Sequence, residues 1–418
     1  MALSSPGTGN AAATPDTSAA VPAPGRGLLP LLLVGNTAMY SLYIGVGGIL
    51  LALQVEHVDP VHKVSNFGLI AGVSAIFATV FNPVAGALSD RSGRRNPWIL
   101  GGGLAAVPAM FLLGLADTVL LITLAWCLGQ AVMNVYQAAL TSVVPDRVPT
   151  ASRGKASAAV GLGLPLGSAL GALAGAAFSG NHRTGYLLLG ALVAAAAVLF
   201  TTCARERRLP ARAPLPVRAQ LAAFTGALRD HDFRWAFIGR ALLVLGYFAV
   251  SGYQLYILQD HTVLPEGMKP ESAVAVLMPL TSVSMVLSTV LGGYLSDRFD
   301  RRKLFVGASA LLSAVALVIP AVSASWPAML AFSVVNGLAF GCYMAVDTAL
   351  VTMVLPNAED AARDMGVLNI ANAGPQIVAP FIASVIVSVS GGYTALFVIA
   401  AVLAVAGALA VRPIRGVR

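Results

Sequence analysis

Charged residues are scarce in this chain of 418 residues. Asp, Glu, Lys and Arg make up 11% of it, against about 25% in a typical soluble domain, whereas hydrophobic residues reach 57%. This composition excludes an ordinary water-soluble domain and indicates a polytopic membrane protein whose surface faces lipid. The net charge of +8 therefore does not indicate nucleic-acid binding, because basic residues in a membrane protein mark its cytoplasmic side.

Cysteine is also rare. The three cysteines, at positions 127, 203 and 342, each lie in an apolar stretch, and an odd count there argues against a disulfide framework. The apolar stretches hold no spaced His or Cys for a metal and no nucleophile–base pair. Gly154-Lys155 lacks the upstream glycine and the following Ser or Thr of a phosphate loop. The sequence therefore predicts no enzyme, no metal and no cofactor.

Long apolar runs dominate the rest of the chain, and a helix of about 20 such residues spans a bilayer. Twelve runs are long enough, at 28–54, 65–89, 97–115, 118–144, 154–178, 184–203, 234–259, 271–295, 302–322, 326–354, 361–388 and 391–411. We therefore predict an all-α membrane protein with twelve transmembrane helices in two pseudo-symmetric six-helix halves. The predicted parts are a disordered tail at 1–25, halves at 26–203 and 234–412, a cytoplasmic linker at 204–233 and a cytoplasmic tail at 413–418.

Lys and Arg are distributed unevenly between the two sides of the predicted membrane. With the N-terminus inside, the inner segments hold 22 of the 26 basic residues, and the outer loops hold Lys63, Arg183 and Lys269. Because cytoplasmic loops carry the excess of Lys and Arg, both termini are predicted to be cytoplasmic in a cell-membrane protein.

A charged turn occurs twice. GALSDRSGRR at 86–95 recurs as GYLSDRFDRR at 293–302, 207 positions later and half of the chain away. Such a repeat indicates two copies of one membrane unit. The turn resembles the loop between the second and third helices of major facilitator superfamily transporters, and the resemblance covers about residues 28–412. It implies alternating access around a central cavity lined by helices one, four, seven and ten.

Two further segments resemble the sucrose/proton symporter branch of that superfamily and its bacterial relatives. They are SDRSGRRNPWI at 89–99 and GVLNIANAGPQIVAP at 366–380, although Asn96 stands where that branch usually has a third basic residue. The resemblance implies proton-coupled uptake of a sugar or glycoside. The expected partners are a small-molecule solute, protons and the lipid bilayer, with the protein acting as a monomer. The alternative is a proton-coupled exporter of a drug or secondary metabolite.

The carboxylates of the repeated turn suggest a conformational latch. Asp90 and Asp297 lie at the cytoplasmic ends of helices two and eight, where the helix dipole disfavours an acid. By the repeat geometry of the superfamily, they would face the starts of helices eleven and five and tie the halves together in the outward-open state. The predicted latch residues are Asp90, Arg91, Arg94, Asp297, Arg298, Arg301, Arg153 and Arg363. The alternative is a solvated turn with positive-inside arginines.

Polar residues inside the spans are costly in lipid and usually face a cavity. They recur at helical spacing on helices one, four, seven and ten, and helix eleven adds two asparagines. The predicted substrate-binding residues are Asn36, Tyr40, Tyr43, Gln130, Asn134, Gln137, Tyr247, Gln254, Asn336, Tyr343, Asn369 and Asn372. Neutral amides and aromatic faces suit a neutral, hydroxyl-rich solute. For any single helix, the alternative is that its polar residues serve interhelical packing.

Asp347 is the only acid well inside a span, and Arg240 is the only base. At 1.5 Å per residue, they lie about 13 Å and about 9 Å from the cytoplasmic side. Because an isolated charge at such depth costs about 2.5–3.5 kcal/mol, we predict a salt bridge between them. Arginine stays protonated, so Asp347 would be the group that carries the coupled proton. A static structural pair is the alternative.

Overall fold

The computed structural model describes residues 27–149, 152–204, 206, 228–353 and 361–415, without the side chains of 153–154, 348–349, 351–353 and 361–369. The predicted tail at 1–25 lies outside the described residues. So do most of the predicted linker at 204–233 and residues 416–418 of the predicted C-terminal tail.

The described part of the chain is built from helices that match the apolar runs. They are α1 Leu28–Val58, α2 Lys63–Ser92, α3 Asn96–Leu115, α4 Val119–Arg147, α5 Arg153–Ala177, α6 His182–Cys203, α7 His231–Ser251, α8 Pro270–Phe299, α9 Arg302–Val322, α10 Trp326–Met353, α11 Ala361–Ser390 and α12 Thr394–Ala410. Eleven are long and apolar enough to cross a membrane, and α12 is an apolar helix of 17 residues. The prediction of an all-α membrane protein with twelve helices is confirmed.

The two halves share one packing pattern. In the first half α1 packs on α5 and α6, α4 on α2 and α3, and α3 on α6. The second half packs in the same way, with α7 on α11 and α12, α10 on α8 and α9, and α9 on α12. The halves meet through α2 against α11 and α5 against α8. The repeat seen in the sequence is therefore a repeat of structure.

Helix α5 approaches α1 closely through glycines at every fourth position from 163 to 175, the spacing that predicts a tight helix contact. A Cβ on Gly171 would lie 2.4 Å from the carbonyl oxygen of Ser41, and one on Gly163 would lie 2.5 Å from the Cβ of Asn36. A side chain at either position would push the helices apart, so this packing requires glycine.

The first helix of each half is irregular at the same repeat position. Helix α1 contains a π-helical turn, Val46–Leu50, directly after Gly45. Helix α7 ends at Ser251 and resumes as a short helix, Gln254–Asp260, where the single helix at 234–259 was predicted. Gly252 lies 207 residues after Gly45, and glycine is a weak helix former.

The bundle has two ends, named here after one residue each. The Lys63 end holds the connections from α1 to α2 and from α7 to α8, and the Arg95 end holds the two charged turns. Near the Lys63 end, a Cβ on Gly72 of α2 would lie 2.1 Å from the ring of Phe381 on α11. The two halves are therefore in direct contact there.

Candidate functional site

Polar side chains of the first half form a hydrogen-bonded cluster, called here the amide cluster. The Tyr43 hydroxyl of α1 donates to Gln137 Oε1 of α4 at 3.2 Å, and Asn134 Nδ2 donates to the Tyr43 hydroxyl at 3.5 Å. Asn82 Nδ2 of α2 donates to Asn134 Oδ1 at 3.1 Å. Three helices thus contribute to a site without any charged side chain.

The amide cluster keeps unused hydrogen-bonding capacity. Within the part of the chain that the structure describes, Gln137 Nε2 and Asn82 Oδ1 have no hydrogen-bond partner. One is a donor and the other an acceptor, and a hydroxyl group can bond to either kind of atom. Asn82 was not among the predicted substrate-binding residues. An asparagine directly before Pro83 in an apolar helix was the signal available for it.

Three residues predicted in the second half line one small enclosed cavity, called here the chamber. Tyr247, Gln254 and Asn336 border it together with Thr281 of α8. Its volume is about 40 Å³, far below the roughly 300–1,000 Å³ of small-molecule pockets, although it is large enough for water. The chamber therefore cannot hold a solute in this conformation.

Arg240 and Asp347 form the ion pair predicted from their depths. Arg240 Nε and Nη2 each lie 2.6 Å from Asp347 Oδ2. The residues are 6% and 2% exposed. Tyr343, one turn before Asp347 on α10, hydrogen-bonds to the same carboxylate. The charges thus compensate each other between α7 and α10, where an unpaired charge would be costly.

Among the described side chains, those of the remaining predicted substrate-binding residues take no part in these contacts. Gln130 contributes only its backbone carbonyl, which accepts from Asn134 Nδ2 at 2.9 Å. Asn36 donates to the Leu32 carbonyl of its own helix at 2.8 Å and packs on Gly163, and Tyr40 packs on Gly167. Both side chains therefore belong to the α1–α5 contact. Gln130 and Asn372 are half-buried, and the side chain of Asn369 lies outside the described residues.

At the Arg95 end, the two turn carboxylates pair within their own halves. Asp90 forms an ion pair with Arg95, and Asp297 Oδ1 lies 2.8 Å from Arg302 Nη2. Arg95 also donates to Asp146 of α4 at 2.8 Å. Burial lowers the pKa of Arg95, but its bonds to Asp90 and Asp146 outweigh this and raise it overall. Arg95 is thus the central residue of the turn.

Most of the predicted latch arginines do not pair with the turn aspartates in the described residues. Exposed side chains are found at Arg91, Arg94, Arg298 and Arg301, and none of these four pairs with a turn aspartate in the described residues. Arg94 lies instead 3.6 Å from Glu206. The prediction missed Arg95 and Arg302, the last arginine of each copy. The side chains of Arg153 and Arg363 lie outside the described residues, so contacts to them stay predictions.

At the Lys63 end, polar contacts join the halves. Lys63 Nζ lies 3.0 Å from Glu56 of its own half and 2.8 Å from Asp260 of the other half. The Ser65 and Ser388 hydroxyl oxygens are 3.2 Å apart. Between described residues, every hydrogen bond and ion pair that links the halves lies at this end. In this conformation the bundle is closed there.

Comparison with known proteins adds an independent result. The family model of the Major Facilitator Superfamily matches residues 32–264 and 261–417. The protein "MFS transporter asaE" of Aspergillus flavus is 22% identical over 351 residues, which cover 82% of this chain and 76% of the relative.

Solved structures share the fold. A mutant of the nucleoside transporter NupG superposes with a TM-score of 0.77 at 13% identity, covering 93% of this chain and 99% of the other. A mutant of the peptide transporter POT with bound sulfate gives a TM-score of 0.75 at 15% identity, covering 94% and 96%. At such low identity, the likeness extends to the fold alone.

Proposed function

Because the chain belongs to the Major Facilitator Superfamily and is a secondary transporter, we propose that it moves a small neutral solute, a sugar or glycoside, by proton symport. The amide cluster carries this proposal. It combines three amide side chains and a tyrosine from three helices and contains no charge. An anionic solute would call for several Arg or Lys at the site, whereas unpaired amide donors and acceptors match hydroxyl groups.

The proposed proton carrier is Asp347. It is the acid of the one ion pair between α7 and α10 in the described residues, and its partner Arg240 keeps its charge. Protonation of Asp347 would release the pair, leave Arg240 without its counter-ion and favour a different packing of these two helices. This links proton binding to helix movement, as symport requires.

We further propose that the protein acts as a monomer in the cell membrane with both termini cytoplasmic. The Arg95 end, which carries the two arginine-rich turns, is then the cytoplasmic end. In this proposal the contacts at the Lys63 end lie on the outside, and the described conformation is closed to the outside. In the proposed latch, Asp90 and Asp297 would release Arg95 and Arg302 when the transporter opens outward. Each aspartate would then contact the opposite half of the protein.

Asp90→Asn and Asp297→Asn should leave the protein inserted but slow transport, because each removes a carboxylate that the outward-open state would use. Initial uptake rates in proteoliposomes measure the effect. Asp300→Asn is the matched control, since Asp300 is an exposed acid of the same turn and asparagine tolerates its left-handed backbone. Normal rates in both variants would show that the latch does not exist.

A screen of glycosides and other solutes by thermal unfolding of the purified protein tests the proposed function. A ligand at 100 times its Kd stabilises the folded state by about 2.7 kcal/mol, which raises the melting temperature. For a true substrate, Asn134→Ala should weaken binding by about 1 kcal/mol, roughly fivefold in Kd, because one hydrogen-bonding side chain is lost.

Thr202→Ala is the control for that screen, since Thr202 is an exposed residue near the end of α6. Unchanged affinity with poor expression of Asn134→Ala would favour a structural role for the amide cluster. Hits confined to hydrophobic cations or secondary metabolites would overturn the sugar assignment in favour of an exporter.

A further inference from the structure

Helices α7 and α10 meet at two levels. The ion pair of Arg240 and Asp347 forms one level, and the rings of Tyr247 and Phe340 form the other. The ring centroids are 3.8 Å apart and the planes are within 13° of parallel. The two levels are seven residues apart on each helix, or about 10.5 Å of helix rise. The ring stack lies on the side of the ion pair that faces the Lys63 end.

The chamber adjoins the stack, since Tyr247 is one of its lining residues. Its other polar lining residues provide enough partners for ordered water, and they are Ser251, Gln254, Thr281 and Asn336. Ser333, one turn before Asn336 on α10, is 1% exposed, and its hydroxyl has no hydrogen-bond partner among the described residues. A buried hydroxyl of this kind is usually satisfied by water. Water bound in the chamber and at Ser333 would approach the stack from the Lys63 end.

We propose that the Tyr247–Phe340 stack is a proton gate that separates the water of the chamber from the carboxylate of Asp347. The inference rests on the proposed role of Asp347 as proton carrier and adds the element that controls its access. The stacked ring faces offer no hydrogen-bonding group, and the Tyr247 hydroxyl is hydrogen-bonded to Ser251 on the chamber side, so the stack interrupts a water chain between the chamber and the ion pair. When the rings part, a hydronium ion in the chamber transfers its proton to the carboxylate, which yields the neutral acid and a water molecule.

Coupling requires such a barrier. If Asp347 reached both sides of the membrane in one conformation, protons would cross without solute and the gradient would be lost. In the described state, the contacts at the Lys63 end close the solute path. A proton is far smaller than a solute and can follow a single water chain, so it needs a separate block. The ring stack supplies that block.

Proton influx without solute tests the gate. Purified full-length protein is reconstituted with a pH-sensitive dye inside the vesicles, and an inward proton gradient is applied with valinomycin and potassium to clamp the voltage. Phe340→Ala should raise proton influx several-fold over the wild type, because removal of one ring connects the chamber to the ion pair. Phe340→Leu keeps most of the side-chain volume and should also leak, which covers the case in which the alanine variant does not fold.

Two further variants make the outcome specific. Phe111→Ala removes the same ring from a half-exposed position on α3 and should not leak. Phe340→Ala combined with Asp347→Asn should return influx to the wild-type level, because the carrier carboxylate is gone. Wild-type influx in both Phe340 variants, or a leak that persists in the double variant, would overturn the gate. Gradient-driven uptake by Asp347→Asn is measured in parallel, so failure of the coupling proposal is recognised separately.

Discussion

Asp347→Asn should abolish accumulation of solute driven by a proton gradient and leave counterflow exchange intact. In a one-to-one symporter, a gradient of one pH unit stores about 1.4 kcal/mol per proton, enough for roughly tenfold accumulation. The variant cannot take up a proton at position 347, so its accumulation ratio should fall to about one under the same gradient. Exchange of labelled for unlabelled solute needs no net proton movement and should continue.

The buried ion pair makes controls necessary for this experiment. Removal of one partner of a buried pair costs about 3–5 kcal/mol, because the other charge is left uncompensated. Arg240→Gln together with Asp347→Asn removes both charges and keeps a polar side chain at each position, so it separates lost coupling from lost stability. Asp117→Asn removes an exposed acid just after α3 and should behave like the wild type. Solute concentrated against its gradient by Asp347→Asn would rule out Asp347 as the carrier.

Oxidation of the double variant Ser65→Cys/Ser388→Cys should stop transport completely, and a reducing agent should restore it. The two hydroxyl oxygens are 3.2 Å apart across the halves, so thiols at these positions can reach the 2.03–2.05 Å bond of a disulfide with small side-chain rotations. That bond would lock the Lys63 end closed. Uptake in proteoliposomes before and after oxidation, with the crosslink followed by gel mobility after cleavage between the halves, measures the effect.

The native cysteines must not form disulfides that compete with the engineered crosslink. Cys203 is exposed and is replaced by serine in all variants, whereas Cys127 is buried and Cys342 is half-buried. Each single cysteine variant should transport normally under oxidant, because no partner is in reach. Full transport by the crosslinked protein would show that the halves need not separate at the Lys63 end. Alternating access between the two ends would then be wrong for this chain.

Membrane physics explains why much of this fold could be predicted from sequence. Lipid requires each span to be a helix of limited length with nearly all of its backbone hydrogen bonds internal, so the apolar runs translate directly into helices. The repeated turn then gave the two-fold organisation. The same cost of polar groups in lipid predicted that Arg240 and Asp347, the base and the acid placed well inside the predicted spans, would pair, and the structure contains that ion pair.

The candidate site was less predictable, because polar residues at helical spacing define one face of a helix but not which neighbouring helix that face contacts. Asn36 and Tyr40 share a helical face, but the glycines of α5 draw that face of α1 into a tight contact. Tyr43, less than one turn further, points instead to α4 and joins the amide cluster. Asn82 reaches that cluster from a helix whose sequence shows no polar stripe. The rotation of each helix about its axis decided these outcomes.

The sequence by itself determined the number of helices and the pairing of the two deeply placed charges, because both follow from the free energy of polar groups in lipid. It also determined the two related halves, because the charged turn at 86–95 recurs at 293–302. The tertiary structure alone decided which amides assemble, that Arg95 and Arg302 pair with the turn aspartates, and that Tyr247 and Phe340 stack beside the chamber. Those features depend on side-chain packing between helices distant in sequence. That packing is set by glycine contacts and helix breaks, and hydrophobic periodicity does not encode it.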